Sequence, residues 1–377
     1  MWIERYYESQ PDFLLSSKVN ILYGPRRVGK TALIKKILET RLNRKKIFMG
    51  EGDDIDLRQI LSSEQKARIL QAFDNYDIIF IDEAQRIPNI GWALKIMIDN
   101  FENKTIIASG SSSFRLSSEI GEPLTGRSHT SHLYPIAILE LYRQFGGMYI
   151  YQNLEQFLIF GMYPEVLTSD NEQAKKLYLR ELRNSYLLKD ILEIEKIKSA
   201  DILFQLLRLL AYQIGHEVSL SELGKNLNIS KHTVKRYLEL LEKSFILFKL
   251  NGFSKNLRKE ITKTSRYYFY DIGLRNALIN NFNSLDNRND QGMLWENFLI
   301  MERIKKQAYQ SLFSNNYFWR TYDQKEIDWV EEREGKLYGY EFKWGNKKPK
   351  APKQWLETYP EAQFKVINKE NFLDFVL

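Results

Sequence analysis

A glycine-rich turn between an apolar segment and a helical pattern constrains the fold of this chain most. Residues 20–23 are Asn-Ile-Leu-Tyr, residues 24–31 are Gly-Pro-Arg-Arg-Val-Gly-Lys-Thr, and residues 32–38 have helical spacing. Glycines in such a turn let the backbone curl around an anion, so that successive N–H groups and the helix N-terminus point at it. The pattern predicts a nucleotide-phosphate site formed by Gly24, Pro25, Arg26, Arg27, Val28, Gly29, Lys30 and Thr31.

Two side chains of this turn have specific roles in such a site. Lys30 would reach the β- and γ-phosphates, and the Thr31 hydroxyl would bind Mg²⁺. The alternative is a glycine-rich turn that only happens to precede a lysine. It is disfavoured because the flanking strand and helix are both what the motif requires.

Composition limits the class of protein. A chain of 377 residues exceeds the size of one core, so two or three domains are expected, and 44% hydrophobic residues allow packed cores. The formal charge of +7 favours an anionic partner, and the absence of cysteine excludes disulfides and thiolate metal sites. The first residues lack a signal-peptide core, and no apolar run reaches membrane-spanning length. A soluble cytoplasmic protein without a membrane partner is expected.

A second apolar segment ends in two carboxylates. Residues 76–85 read Tyr-Asp-Ile-Ile-Phe-Ile-Asp-Glu-Ala-Gln, which resembles a Walker B strand. Asp82 would hold Mg²⁺ through water, and Glu83 would polarise the water that attacks the γ-phosphate. Such a pair after an apolar strand is often only a helix cap. The preceding phosphate loop favours the first interpretation, because both strand ends open on the same edge of an α/β sheet.

The segment between the two motifs bears on the nucleotide. Residues 45–49 indicate a further strand and residues 56–73 a helix. We therefore expect a strand to separate the phosphate-loop strand from the acidic strand, which resembles the additional-strand ATPases rather than the GTPases. No Asn-Lys-x-Asp motif for reading guanine is present. ATP is therefore the predicted nucleotide.

Two further candidates follow in the first 145 residues. The strand pattern at 104–108 opens into serines, where Ser111 or Ser112 would sense the γ-phosphate, unless these serines only form a turn. Arg127 precedes a strand pattern at 129–134 and would act as an arginine finger in a neighbouring subunit, which implies a homo-oligomer. A solvated arginine is the alternative.

The middle of the chain is helical up to a helix-turn-helix pattern. Helical patterns cover residues 136–145, 154–160 and 173–197, which we interpret as a lid. Ser219 and Ser230 are suited to cap two further helices up to Leu241, each with one buried face. Strand patterns at 245–250 and 266–269, with a polar wing at 254–263, complete a winged helix. DNA is the predicted partner of its exposed residues Lys231, His232, Lys235 and Arg236, although such modules also dock proteins or oligomerise.

The C-terminal segment brings carboxylates and a lysine into one short region. Glu296 lies in a helical pattern, Asp328 in a strand pattern, and Glu341 and Lys343 two apart in another strand, so that the last two share a face. Mg²⁺ bound by Glu296, Asp328 and Glu341, with Lys343 to orient water, would suit phosphodiester hydrolysis. The spacing resembles the PD-(D/E)XK nuclease core, although Ile327 replaces the proline.

Taken in order, eight segments resemble a prokaryotic AAA+-type ATPase family with a restriction-endonuclease-like C-terminal domain. They are GPRRVGKT, IDEAQ, SGSSSF, LTGR, FGMYPEV, YFYDIGLRNAL, WENF and EIDW…YEFK. The resemblance implies an α/β chain with an ATPase domain at 1–145, a helical lid at 146–200, a winged helix at 201–270 and a nuclease-like domain at 271–377. It implies an ATP-hydrolysing, DNA-binding oligomer with a Mg²⁺-dependent nuclease. The alternative is a nucleotide-regulated switch or scaffold with an inert nuclease-like domain.

Overall fold

The computed structural model describes most of the chain, in two compact units. The described residues are 1–42, 44–111, 123–186, 200–253, 265–321, 324–347 and 349–377. One unit comprises residues 2–135 with 243–245, and the other comprises residue 1, residues 136–242 and residues 246–377. In the described part of the chain, no helix is long and apolar enough to cross a membrane.

The first unit is built on a parallel five-stranded sheet. Its strands are β1 (Val19–Tyr23), β2 (Ile47–Glu51), β3 (Ile78–Asp82), β4 (Thr105–Gly110) and β5 (Ser128–His132), in the order β2-β3-β4-β1-β5. Its helices are α1 (Lys30–Arg41), α2 (Ile55–Leu61), α3 (Lys66–Phe73) and α4 (Ile90–Asn100), with 3-10 turns at Tyr6–Ser9, Pro11–Phe13 and Ala84–Arg86. The side chains of β1, β3 and β4 are buried almost without interruption, which is typical of parallel strands covered on both faces.

A strand separates the phosphate-loop strand from the acidic strand, as predicted. That strand is β4, however, whereas β2 lies at the edge of the sheet beside β3. The helix predicted over 56–73 is two helices, α2 and α3. The Ser62 and Ser63 hydroxyls donate to the carbonyls of Arg58 and Ile60, and Glu64 has a left-handed backbone (φ 55°), so the chain leaves the helix there.

The second unit contains ten helices among its described residues. They are α5 (Ile138–Phe160), α6 (Pro164–Thr168), α7 (Glu172–Glu181), α8 (Ala200–Tyr212), α9 (Leu220–Leu227), α10 (Lys231–Lys243), α11 (Ile272–Leu278), α12 (Gln291–Tyr309), α13 (Lys353–Thr358) and α14 (Phe372–Val376). A π-helical turn, Leu182–Tyr186, follows α7, and a 3-10 turn covers Leu285–Asn287. The helices predicted at 136–145 and 154–160 are one helix, α5, with a break at Gly146 (φ 78°, ψ 175°). The predicted helix at 173–197 is described only as far as residue 186.

A mixed seven-stranded sheet runs through this unit. Its strands are β6 (Glu217–Val218), β7 (Leu247–Gly252), β8 (Ser265–Phe269), β9 (Asn315–Arg320), β10 (Glu326–Arg333), β11 (Lys336–Phe342) and β12 (Gln363–Ile367), in the order β12-β11-β10-β9-β7-β8-β6. Strand β7 pairs with β9 through Asn251 with Tyr317 and Gly252 with Phe318. The hairpin of β7 and β8 therefore shares one sheet with the C-terminal strands. The predicted boundary at 145/146 falls inside α5, and the one at 270/271 falls inside this unit.

Candidate nucleotide site and carboxylate centre

The glycine-rich turn lies at the carboxyl end of β1 and leads into α1. A Cβ atom on Gly24 would stand 2.0 Å from the carbonyl oxygen of Leu133, so only glycine fits there. Gly29 has a left-handed backbone (φ 93°) at the start of α1. The ammonium of Lys30 is buried and donates to the carbonyls of Gly24 and Pro25, each at 2.9 Å. The turn is therefore a closed loop with its lysine folded across it.

The loop meets the acidic strand through Thr31. Its hydroxyl donates to one oxygen of Asp82, and the Ser109 hydroxyl donates to the other. Ser109 is fully buried at the carboxyl end of β4. The structure thus brings the two predicted Mg²⁺ ligands Thr31 and Asp82 together. Sequence reasoning missed Ser109, although a small polar residue at the end of the apolar strand pattern at 104–108 was the available signal.

Glu83 leaves the strand with a left-handed backbone (φ 48°). Its Oε2 accepts from Gln85 Nε2 at 2.6 Å and from the Ser111 hydroxyl at 3.4 Å. Gln85 Nε2 also lies 3.2 Å from Ser111 Oγ. The Oε1 atom of Gln85 is buried and has no hydrogen-bond partner among the described residues. The candidates Glu83 and Ser111 are therefore neighbours. Ser112 lies outside the described residues.

Arg127 lies at the amino ends of the strands of this sheet, whereas the phosphate loop lies at their carboxyl ends. Its carbonyl accepts from the N–H of Val19, the first residue of β1, and its Nε donates to Asp99 at 2.6 Å. The phosphate loop follows the other end of β1. Arg127 is therefore remote from the candidate nucleotide site of its own chain, and its role in a neighbouring chain stays a prediction.

In the second unit, the two helices of the predicted helix-turn-helix are present as α9 and α10, with their predicted caps. The Ser219 and Ser230 hydroxyls accept from the N–H groups of Glu222 and Thr233, at 3.3 and 3.1 Å. Val234, Leu238 and Leu241 of α10 are buried. The predicted wing at 254–263 lies outside the described residues. The four candidate DNA contacts are exposed on α10 and form what we term the basic face: Lys231, His232, Lys235 and Arg236.

The C-terminal candidates form a cluster that we term the carboxylate centre: Glu296, Asp328, Glu341 and Lys343. Trp329 of β10 pairs with Tyr340 of β11, which puts Asp328 beside Glu341. Asp328 accepts from the N–H of Phe342 at 2.8 Å, and Lys343 Nζ lies 2.6 Å from Glu341 Oε1. Glu341 Oε2 is buried without a partner among the described residues.

Glu296 has a different environment from the other two acids. Its Oε1 accepts from the Tyr268 hydroxyl at 2.6 Å and lies 3.7 Å from Arg266 Nη1, both residues of β8. Arg266 also donates to Glu326 at 2.6 Å. Within the described ranges, no three histidine or acidic side chains are grouped to hold a metal ion. The structure thus places Asp328, Glu341 and Lys343 next to one another. Glu296, in contrast, is hydrogen-bonded to Tyr268 in the hairpin of β7 and β8.

The electrostatics of the carboxylate centre indicate a crowded set of negative charges. Burial raises the pKa of Asp328 well above its ordinary value, and the charges of Glu296 and Glu341 raise it further. Burial also raises the pKa of Glu341, and raises that of Glu296 to about 6 against the opposing effect of Arg266. Burial opposes protonation of Lys343, but the neighbouring carboxylates outweigh it and raise its pKa. A bound cation would relieve this crowding.

The parallel sheet with a glycine-rich loop and an acidic strand is consistent with a P-loop-type AAA domain, and comparison with known families agrees. Residues 16–142 match the family described as AAA domain. Residues 151–285 and 291–375 match two families described as domains of unknown function, DUF8612 and DUF4143. The predicted ATPase family is supported, and the restriction-endonuclease-like assignment stays a prediction.

Similar proteins occur in archaea and bacteria. The uncharacterized protein MJ1544 of Methanocaldococcus jannaschii is 25% identical over 334 residues, which cover 84% of this chain and 73% of the relative. The uncharacterized protein Rv2008c of Mycobacterium tuberculosis is 25% identical over 329 residues, covering 86% of this chain and 70% of the relative. The uncharacterized ATP-binding protein MJ0632 of M. jannaschii is 35% identical over 80 residues, which cover 21% of this chain and 20% of that protein.

Proposed function

We propose that the first unit binds and hydrolyses ATP. The observation that carries the proposal is the contact of Thr31 with Asp82 beside a glycine loop whose lysine is already folded inward. Lys30 contacts the β- and γ-phosphates, and Glu83 polarises the attacking water. Hydroxyl and carboxylate oxygens are ligands that Mg²⁺ prefers, so Thr31 and Asp82 fit this ion. When bound, Mg²⁺ neutralises charge on the phosphates.

Two features support a role for Gln85 and Ser111 in this reaction. Both contact Glu83, and Gln85 presents a buried oxygen without a partner among the described residues. A carboxylate held by an amide keeps one orientation, which a general base requires. Ser111 is then placed to respond to the γ-phosphate through Glu83. Arg127, remote from the loop of its own chain, is assigned to a neighbouring subunit of a homo-oligomer.

Binding of DNA is proposed for the basic face of the second unit. Four exposed residues that carry or can carry positive charge lie on one side of α10, and the other side is buried. A winged helix reads DNA with such a helix. Strand β6 pairs with β8, and β8 pairs with β7, which is the strand arrangement that this module has behind its helices.

Phosphodiester cleavage at the carboxylate centre is a second candidate function. The specific observation is Glu341, which has Lys343 on one oxygen and a buried, unpartnered second oxygen beside Asp328. Asp328 and Glu341 would hold Mg²⁺, which supplies charge neutralisation at a phosphate when bound. Lys343 holds the water near Glu341. If this centre is inert, the protein is a nucleotide-regulated switch or scaffold.

ATP turnover tests the first proposal. Phosphate release from Mg-ATP is measured for the wild type, Lys30→Ala, Glu83→Gln and Lys36→Ala, whose lysine is exposed on the same helix. Lys30→Ala should lose binding and turnover. Glu83→Gln should bind ATP but turn over at least about 100-fold more slowly, and Lys36→Ala should match the wild type. Full turnover by Lys30→Ala would contradict the proposal.

Plasmid cleavage tests the proposal that the carboxylate centre cleaves phosphodiester bonds. Supercoiled plasmid and Mg²⁺ are incubated with the wild type, Lys343→Ala and Lys365→Ala, whose lysine is exposed on β12. Cleavage that only Lys343→Ala loses supports a nuclease. Absence of cleavage, together with assembly that depends on ATP, supports the switch or scaffold.

A further inference from the structure

Arg5 lies behind the phosphate loop and contacts it directly. It stands just before the 3-10 turn Tyr6–Ser9 and is only 4% exposed. Its Nη1 donates to the carbonyl oxygen of Val28 at 2.6 Å, and its Nη2 donates to that of Tyr134 at 2.7 Å. One guanidinium therefore joins the loop, just before Lys30, to the segment that follows β5.

The contact with Val28 determines the direction of a neighbouring N–H group. A trans peptide is planar, so its C=O and N–H point in opposite directions. Because Arg5 holds the Val28 carbonyl behind the loop, the N–H of Gly29 in the same peptide points to the other side. In a loop of this kind, that side receives the phosphate. Arg5 thus acts on a phosphate-binding group without touching the nucleotide.

An external contact of this kind is needed because of the residue that follows. Gly29 adopts φ 93°, and glycine populates many backbone conformations with similar energy. The loop sequence alone therefore does not hold the peptide between Val28 and Gly29 in one orientation. A buried guanidinium that donates two hydrogen bonds can hold this peptide in one orientation, because its donors form a rigid planar fork.

The second hydrogen bond of Arg5, to the carbonyl of Tyr134, connects the loop to the segment after β5. Tyr134 directly follows Leu133, whose carbonyl oxygen closely approaches Gly24 and whose N–H donates to Tyr23 at 2.7 Å. The amino-terminal segment is held at the same strand, because the Tyr7 hydroxyl donates to the carbonyl of His132 at 3.2 Å. Gly24 is thereby positioned against the residues at the end of β5, and Gly29 is linked to them through Arg5.

We infer that Arg5 is a positioning residue of the nucleotide site, which holds the Gly29 N–H in the direction that a bound phosphate requires. The inference rests on the proposed ATPase function. It predicts that loss of the guanidinium weakens the binding of phosphates in protein that is otherwise folded. Lysine is a poor replacement, because a single ammonium on a flexible stem lacks the planar fork.

The test compares Arg5→Met and Arg5→Lys with Arg41→Met in the full chain. Arg41 Nη1 also holds the amino-terminal segment, through the carbonyl of Gln10 at 2.8 Å, but lies at the other end of α1 from the loop. The dissociation constant of Mg-ATP, and the KM and kcat of its hydrolysis, are measured well below each protein's thermal midpoint.

Arg5→Met should raise the dissociation constant and KM about tenfold or more, as expected for a charge-assisted hydrogen bond. Arg5→Lys should recover part of the loss, and Arg41→Met should equal the wild type. A lower midpoint with wild-type binding in Arg5→Met would overturn the inference alone. If Arg5→Met does not fold, wild-type binding by Arg5→Lys overturns it. A wild type that does not bind Mg-ATP overturns the proposed function and this inference together.

Discussion

Asp271 accepts a hydrogen bond at 2.7 Å from the N–H of Met162, a residue 109 positions earlier in the chain. Its other oxygen accepts from the N–H of Leu274 at 3.1 Å and caps α11. A Cβ on Gly161 would stand 2.1 Å from that oxygen, and Asn276 donates to two carbonyls near the end of α5. The segments at 160–166 and 268–278, which sequence reasoning could only compare with a family, are therefore two sides of one buried joint.

Replacement of Gly273 by alanine should weaken this joint. A Cβ there would lie 1.9 Å from the carbonyl oxygen of Phe160, and backbone atoms cannot move aside without shifting a helix. We expect Gly273→Ala to lose about 1–3 kcal/mol or more of unfolding free energy, measured by urea unfolding. The control is Gly292→Ala, where nothing lies within 4 Å. It should be neutral or slightly stabilising, because alanine favours the first turn of α12. Equal urea midpoints for the two variants would contradict the close packing.

Removal of the Tyr268 hydroxyl should destabilise the second unit through Glu296. Tyr268 is fully buried, and its hydroxyl donates to that carboxylate at 2.6 Å. Tyr268→Phe leaves a buried acid with one hydrogen bond fewer, which we expect to cost about 1–3 kcal/mol of unfolding free energy. Tyr267→Phe removes the same atom from the opposite face of the same strand and is the control. The expectation fails if urea unfolding shows equal losses for both variants.

The positions of the candidate nucleotide-site residues were predictable because each of the motifs is local. Gly24, Lys30, Asp82 and Glu83 lie in short segments whose flanking strand and helix patterns can be read directly. A parallel sheet then brings the strand ends together, as the contact between Thr31 and Asp82 shows. The two motifs and the rule for parallel strands are enough to place these residues at the carboxyl ends of the same sheet.

Contacts between distant segments were not predictable. Arg5 is one arginine outside any periodic pattern, and its partners lie 23 and 129 residues away. The pairing of β7 with β9 joins residues 251 and 317, which are 66 positions apart in the chain. Glu296 likewise has distant partners, the side chains of Tyr268 and Arg266 on β8, which belong to the predicted winged helix. Side-chain type and spacing carry no signal for such pairings.

Acid should reveal the contribution of Asp290 to stability. Burial alone would raise the pKa of this acid, but hydrogen bonds from Arg288 and Arg275, between 2.5 and 2.8 Å, outweigh it and lower the pKa to about 2. A folded pKa below the unfolded value stabilises the protein above about pH 4, and this contribution is lost as the pH falls towards 2.

Urea unfolding of the wild type and Asp290→Asn between pH 6 and pH 2.5 measures this contribution. The variant should be clearly less stable at pH 6, because two buried guanidiniums lose their carboxylate. The difference should shrink at the acid end, by an amount on the order of 2 kcal/mol for the full titration. A difference that stays constant with pH would show that Asp290 does not titrate in this range.

Neutralisation of the basic face should reduce both the affinity for DNA and its dependence on salt. Each lysine or arginine that contacts a phosphate releases counterions, so its removal lowers the slope of log affinity against log salt by about 1. We expect Lys235→Ala with Arg236→Ala to lower the slope by about 2, measured with labelled duplex DNA at several salt concentrations. Lys66→Ala with Arg68→Ala on α3 removes the same exposed charges from the first unit. If both double variants change the slope equally, DNA responds to net charge, and α10 has no specific role as its binding face.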